Sequence, residues 1–129
     1  MEFHHVGIAV HSIAETAEWY AGLGYDCTET IEDPIQNVRI AFLRRADSPL
    51  LELVQPVDKT SPVYNILKKV GVSAYHFCYE TGDLQNTLEN LERQDFKLLV
   101  EPVQAVAFNN RRISFLYHLE IGLIELLEK

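Results

Sequence analysis

The segment FHHVGIAV (residues 3–10) combines the apolar, β-branched character of a β-strand with two histidines near its start. The segment AYHFCYET (residues 74–81) repeats this combination, and its His76 lies 71 positions after His5. An apolar strand does not require an imidazole for its own packing, so the histidines in both segments should have a common explanation. It indicates two copies of one structural unit, each with a histidine at the same place.

The order of elements that follows each segment supports this duplication. A helix capped by Ser12 and then three strand-like runs follow the first segment; a helix capped by Asp83 and three more runs follow the second. The apolar positions of the two helices are also 71 residues apart, with Leu84, Leu88 and Leu91 matching Ile13, Ala17 and Tyr20.

The pattern therefore predicts an α+β fold in a single domain, residues 1–129. Two tandem βαβββ modules, about 1–57 and about 74–129, would form a curved mixed sheet around a metal-containing cavity, with the helices outside. Between them, the segment SPVYNILKKVG predicts a linker helix over about 61–71, with Ser61 at its N-cap.

Composition narrows the functional class. The chain has 129 residues, 47% of them hydrophobic, and a formal charge of −8, which disfavours a nucleic-acid or anionic-membrane partner. There is no signal-peptide pattern and no apolar run long enough for a membrane helix. The two cysteines, Cys27 and Cys78, form no disulfide framework, so we expect a cytoplasmic protein with free thiols.

Two carboxylates occur where a strand would bury them. Glu52 lies among leucines in PLLELVQP, and Glu125 lies between Ile124 and Leu126 in GLIELLEK. The two glutamates are 73 positions apart, close to the spacing of the histidines. Because side chains alternate across a strand, both carboxylates should point away from the helices, as His5 does in its own strand.

A buried carboxylate is costly unless it is paired or bound to a cation. A single strand histidine is ordinarily a hydrogen-bonded core residue, and a single strand glutamate is often solvated. Four such residues in matching positions are better explained by a metal site formed by His5, Glu52, His76 and Glu125. Imidazole and carboxylate ligands suit Ni²⁺, Zn²⁺ or Co²⁺, and also Mn²⁺ or Fe²⁺.

Two arginines are candidates for substrate binding. Because side chains alternate across a strand, we expect the bulky residues to face a helix, namely Val38, Ile40 and Phe42 in one strand and Ile113, Phe115 and Tyr117 in another. On that assignment Arg39 and Arg112, 73 positions apart, face the cavity and would recognise an anionic group of the substrate. The alternative is that each arginine pairs with one of the 19 acidic residues of the chain.

Several segments resemble the vicinal oxygen chelate (glyoxalase/bleomycin resistance/dioxygenase) superfamily, in particular its glyoxalase I and methylmalonyl-CoA epimerase branches. They are HHVGIAV, WYAGLGY, ELVQP, SPVYNILKK, YHFCYE and GLIELLEK. The resemblance implies paired βαβββ modules, and it puts the metal ligands on His5, Glu52, His76 and Glu125.

The resemblance also implies a reaction. The ligand set His/Glu/His/Glu is similar to that of glyoxalase I (lactoylglutathione lyase), which isomerises the hemithioacetal of methylglyoxal and a thiol through a metal-bound enediolate. Glu125 is then the candidate base and Glu52 its counterpart. The alternative is an epimerase similar to methylmalonyl-CoA epimerase, which SPVYNILKK and YHF resemble at least as closely; some epimerases have Gln where Glu52 stands.

Two further interpretations come from other functional classes. One is a non-enzymatic protein that binds a small molecule, although superfamily members of that kind generally lack the full ligand set. The other is an Fe²⁺ dioxygenase, which a fourth protein ligand disfavours. The implied partner is a thiol- or CoA-linked small molecule, for which NNRR (residues 109–112) is a candidate contact, and a homodimer is left open.

Overall fold

The computed structural model describes all residues from Met1 to Lys129. It contains nine strands, three α-helices and one short 3-10 helix, so the predicted α+β class is confirmed. By its internal contacts the chain divides into two compact units. The first unit is residues 5–75, and the second is residues 1–4 together with residues 76–129.

The first unit contains the strands that carry His5 and Glu52. Its elements are β1 (Glu2–Ala9, of which the unit includes the part from His5), α1 (Ile13–Ala21), β2 (Asp26–Cys27), β3 (Ile31–Asp33), β4 (Val38–Arg44), β5 (Leu50–Pro56) and α2 (Pro62–Val70). The strands lie in the order β2–β4–β5–β1, and β3 also pairs with β4. The β1–β5 pair is parallel and the β4–β5 pair is antiparallel.

Helix α1 begins where the sequence predicts it. The Ser12 Oγ accepts a hydrogen bond from the Glu15 backbone N–H at 3.2 Å, which satisfies one of the free donors of the first turn. Apolar residues of α1 pack on the same cluster as Val10, which follows β1, and buried residues of β1, β4 and β5, which are Ile8, Ala41, Leu43 and Leu53. This packing fixes which face of each strand is turned to the helix.

The second unit repeats this arrangement. Its elements are β6 (Ser73–Thr81, from His76 onward), α3 (Leu84–Glu92), β7 (Lys97–Ala105), a 3-10 helix (Val106–Phe108), β8 (Arg111–His118) and β9 (Gly122–Glu128). The strands lie in the order β6–β9–β8–β7, with β6 and β9 parallel. The Asp83 carboxylate accepts from the Asn86 N–H at 3.1 Å and so caps α3.

Strand pairing supports the duplication residue by residue. In the first unit Glu52 lies opposite Gly7 on one side and Phe42 on the other. In the second unit Glu125 lies opposite Cys78 and Phe115. Gly7 and Cys78 are 71 positions apart, and the other two pairs are 73 apart. The two glutamates therefore occupy equivalent positions in two equivalent ladders.

The predicted orientation of β4 and β8 is wrong. Ala41 and Leu43 pack in the α1 cluster, and Leu116 packs in the α3 cluster. Residues Val38, Ile40 and Phe42 therefore lie on the other face of β4, as Ile113, Phe115 and Tyr117 do in β8. Alternation says which residues share a face but not which face meets the helix, and side-chain bulk is a poor guide when both faces are buried.

Two parts of the sheet are less regular. The strands β2 and β3 have only two and three residues, and β7 pairs irregularly with β8. Each α-helix has nine residues, and none combines the length and apolar character needed to cross a membrane.

The two serine caps provide a test of the helix termini. We expect Ser12→Ala to lower the free energy of unfolding by about 1 kcal/mol, because an N-cap hydrogen bond is lost. We expect Ser61→Ala to change it far less, because the buried Ser61 Oγ makes no hydrogen bond to the α2 backbone or to any other group. Urea unfolding followed by circular dichroism measures both; an equal loss in the two variants would contradict the assignment.

Candidate metal centre

The first unit contains a buried histidine–glutamate pair. His5 on β1 and Glu52 on the adjacent strand β5 bring Nε2 and Oε1 to 3.3 Å. Their exposed fractions are 0% and 2%. The leucines that flank Glu52 in sequence pack toward α1, so alternation turns the carboxylate to the opposite face. This is the orientation that the sequence predicts for both residues.

The second unit contains the same pair. His76 on β6 and Glu125 on β9 bring Nε2 and Oε1 to 3.4 Å, and they are 4% and 2% exposed. Ile124 and Leu126 pack with α3, as their counterparts do with α1. The two units therefore present the same donor atoms in almost the same geometry.

A phenylalanine accompanies each pair. The Phe42 ring lies edge-on to the His5 ring with centroids 6.4 Å apart, and the Phe115 ring lies edge-on to the His76 ring at 5.3 Å. These rings hold the imidazoles and add apolar surroundings. The bulk of the two phenylalanines predicts that they face the helices, and this wrong orientation conceals their contact with the histidines. Their 73-residue spacing, which equals that of the glutamates, was the available signal.

The donor set fits a divalent cation. Imidazole nitrogen and carboxylate oxygen are common ligands of Zn²⁺ and of the neighbouring first-row metals. Two adjacent donors on one metal, with bonds of about 2.1 Å and angles between octahedral and tetrahedral, are separated by about 3.0–3.4 Å. The observed separations of 3.3 and 3.4 Å in the two pairs agree with this spacing.

The two predicted substrate-binding arginines form ion pairs within the chain. The Arg39 Nε lies 3.2 Å from the Glu32 Oε1, and Arg112 donates from Nε and Nη2 to the two carboxylate oxygens of Glu128 at 3.0 and 2.9 Å. Alternation puts Arg39 on the strand face of Ala41, which packs toward α1, so the expected cavity-facing orientation is wrong. A role in substrate binding stays a prediction.

Comparison with known proteins identifies the family. The profile described as the Glyoxalase/Bleomycin resistance protein/Dioxygenase superfamily matches residues 4–115. The chain belongs to this superfamily. The match extends over most of both units and confirms the resemblance seen in the sequence.

Individual relatives are more informative about the branch. The Bacillus subtilis protein YqjC, which is uncharacterized, is 33% identical over 129 residues, covering 96% of this chain and 89% of YqjC. A crystal structure of methylmalonyl-CoA epimerase from Mycobacterium tuberculosis has a TM-score of 0.85 and 30% identity, covering 98% of this chain and 87% of the other. A variant of Streptomyces coelicolor methylmalonyl-CoA epimerase, in complex with 2-nitronate-propionyl-CoA, has a TM-score of 0.86 and 27% identity, covering 100% and 97%.

These relatives bear on the choice between the two predicted reactions, that of glyoxalase I and that of methylmalonyl-CoA epimerase. Both solved structures are methylmalonyl-CoA epimerases, and one holds an acyl-CoA compound. The glyoxalase I interpretation receives no specific support from them. The superfamily prediction is confirmed, and the epimerase alternative is the better supported of the two.

The Arg112–Glu128 pair yields a prediction for pH dependence. The hydrogen bond and positive charge of Arg112 lower the pKa of the Glu128 carboxyl. We expect Arg112→Gln to raise that pKa toward the ordinary range of a glutamate, measured by NMR titration. Because the pKa is lowered in the folded state, the pair stabilises the fold at neutral pH and the contribution is lost as pH falls through the folded pKa. An unchanged Glu128 titration in the variant would contradict the pairing.

Proposed function

We propose that the protein is a metal-dependent isomerase that moves the proton α to the thioester carbonyl of an acyl-CoA, in the manner of a methylmalonyl-CoA epimerase. The observation that carries this proposal is the equivalence of the two buried pairs, His5–Glu52 and His76–Glu125, each with the same donor atoms and separation. The similarity to epimerases, one of them with an acyl-CoA compound bound, supports the choice of substrate class.

All four residues of the two pairs would hold one divalent cation together. Such a cation supplies a Lewis acid for the carbonyl oxygen on which negative charge develops when the α-proton leaves. The burial of both carboxylates supports a cation, because a buried carboxylate is favourable only where it is paired or bound to a metal.

Glu125 is the proposed base, and Glu52 is the proposed acid that acts on the opposite face. Epimerisation requires removal of a proton from one face of the α-carbon and delivery to the other, so two acid–base groups are needed. The two glutamates are equivalent in the duplication, which supplies one group from each unit. His5 and His76 hold the two carboxylates in place, and Phe42 and Phe115 make their surroundings apolar.

A glyoxalase I-like reaction is the second candidate, and Glu52 favours it. A carboxylate at that position gives the proposed site two acidic ligands rather than one. The resulting His/Glu/His/Glu set resembles that of glyoxalase I. The proton chemistry is similar, because an α-proton is again moved between neighbouring carbons by a glutamate.

Exchange of the α-proton of methylmalonyl-CoA with deuterated solvent tests the proposal. We expect exchange by the metal-loaded wild type, and a loss of roughly 10²- to 10⁴-fold in Glu125→Gln, because the base is removed. Glu101→Gln is the control, since Glu101 is an exposed glutamate on β7. NMR measures exchange, and metal analysis of each variant separates loss of the base from loss of the ion.

Two results would contradict the assignment. Full exchange in metal-loaded Glu125→Gln would remove Glu125 as the base. No exchange in wild type, together with turnover of methylglyoxal and a thiol, would replace the epimerase with the glyoxalase I-like reaction.

A further inference from the structure

In the second unit, the face of the sheet to which Glu125 points continues as an apolar surface. Phe115 of β8 lies opposite Glu125, and Tyr117 of the same strand lies opposite Leu123 of β9. On the other side of β8, Val100 of β7 lies opposite Phe115. Directly opposed residues share a face of the sheet, so all of them lie on the face of Glu125. We call this surface the apolar wall; its residues are Val100, Phe115, Tyr117 and Leu123.

The outer part of the apolar wall is open to solvent. Tyr117 and Val100 are 41% and 36% exposed, and the other two wall residues are half-buried. Another exposed aromatic pair of the second unit, Phe3 and Phe77, has its ring centroids 6.2 Å apart. Phe77 follows His76 in β6 and therefore points to the opposite face of the sheet. The wall is thus an exposed apolar surface that adjoins the buried histidine–glutamate pair.

The corresponding place in the first unit is polar. Arg44 takes the place of Tyr117, since each follows the phenylalanine of its unit by two residues and pairs with the strand at the edge of the sheet. Thr28 takes the place of Val100, and its Oγ1 accepts a hydrogen bond from the Phe42 N–H at 2.9 Å. The duplicated fold therefore forms without an apolar surface at this place. An apolar surface in one unit alone favours contact with a ligand over a requirement of folding.

We propose that the apolar wall binds an alkyl substituent on the α-carbon of the acyl-CoA, and that the preferred substrates carry a longer chain there than the methyl group of methylmalonyl-CoA. The inference rests on the proposed function and adds to it the class of acyl group. With the α-carbon at Glu125, the proposed base, the step from Phe115 to Tyr117 provides roughly 7 Å of apolar surface along the strand. This length accommodates a butyl group.

Exchange of the α-proton with deuterated solvent, compared for methylmalonyl-CoA and butylmalonyl-CoA, tests the preference. We expect kcat/KM of the metal-loaded wild type to be roughly tenfold higher for butylmalonyl-CoA, because the added methylenes leave water on the wall. Val100→Asn and Tyr117→Asn should each lower this ratio severalfold. Tyr117→Phe should keep it, since the ring rather than the hydroxyl makes the contact. Arg44→Asn, at the equivalent position of the first unit, is the control.

Binding of propionyl-CoA and hexanoyl-CoA, measured by isothermal titration calorimetry, tests the wall without requiring turnover. The two compounds share the CoA portion and differ in the substituent on the α-carbon, which is methyl in the first and butyl in the second. We expect the wild type to bind hexanoyl-CoA roughly tenfold more tightly. This difference should be lost in Val100→Asn and Tyr117→Asn and kept in Arg44→Asn. A thermal melt of each variant shows whether the fold is intact.

These readouts separate the apolar wall from the proposed function. A preference for hexanoyl-CoA that depends on Val100 and Tyr117 supports the wall even if no proton exchange is found. Exchange of methylmalonyl-CoA without a wall-dependent gain for butylmalonyl-CoA would overturn the wall and leave the epimerase standing. An equal loss of the preference in Arg44→Asn would also overturn it.

Size-exclusion chromatography tests the competing occupant of the wall, which is a second copy of the chain. A dimer that dissociates on Tyr117→Asn, with the preference between the two acyl-CoAs unchanged, would assign the wall to a contact between copies and overturn the proposal. We expect the elution volume of Tyr117→Asn to equal that of the wild type.

Discussion

The burial of a carboxylate next to an imidazole in the middle of a leucine-rich strand is the constraint on which this structure depends. A carboxylate with 2% exposure has lost most of its hydration, which is costly unless the charge is paired or bound to a cation. The chain contains this arrangement twice, at Glu52 and at Glu125. In the proposed function a divalent cation held by both pairs would stabilise these charges, and this is the reason that the proposed chemistry begins with a metal.

The surrounding fold serves to hold these donors in place. In each unit, aliphatic residues on either side of the glutamate pack against a helix, so the glutamate itself must point to the opposite face. The parallel pairing of the histidine strand with the glutamate strand then brings the two side chains together. A phenylalanine from the next strand packs against each imidazole. Rigid strands, rather than loops, thus determine the geometry.

Much of this could be predicted from the sequence, because a duplication makes a weak pattern visible twice. His5 and Glu52 could be recognised as candidate ligands because His76 and Glu125 repeat them at nearly the same spacing. The start of α1 could be predicted because Ser12 is a favourable N-cap residue. The faces of β4 and β8 could not be predicted in this way. In those strands both faces carry buried residues, and which face meets the helix depends on tertiary packing of small residues such as Ala41.

The choice of substrate also lay beyond the sequence pattern. The same buried donors suit a hemithioacetal or a thioester, and the comparisons rather than the donor set favour an acyl-CoA.

Metal stoichiometry tests the central claim, that both pairs share one cation, most directly. The protein should be purified without chelator, loaded with Ni²⁺, Zn²⁺ or Co²⁺ and analysed beside His5→Ala, His76→Ala and, as a control, His118→Ala. The shared site predicts about one equivalent in the wild type and in the control, and almost none in either of the other variants, because each unit supplies half of the ligands. Two equivalents in the wild type with one retained in each variant, or no bound metal in the wild type, would contradict the shared site.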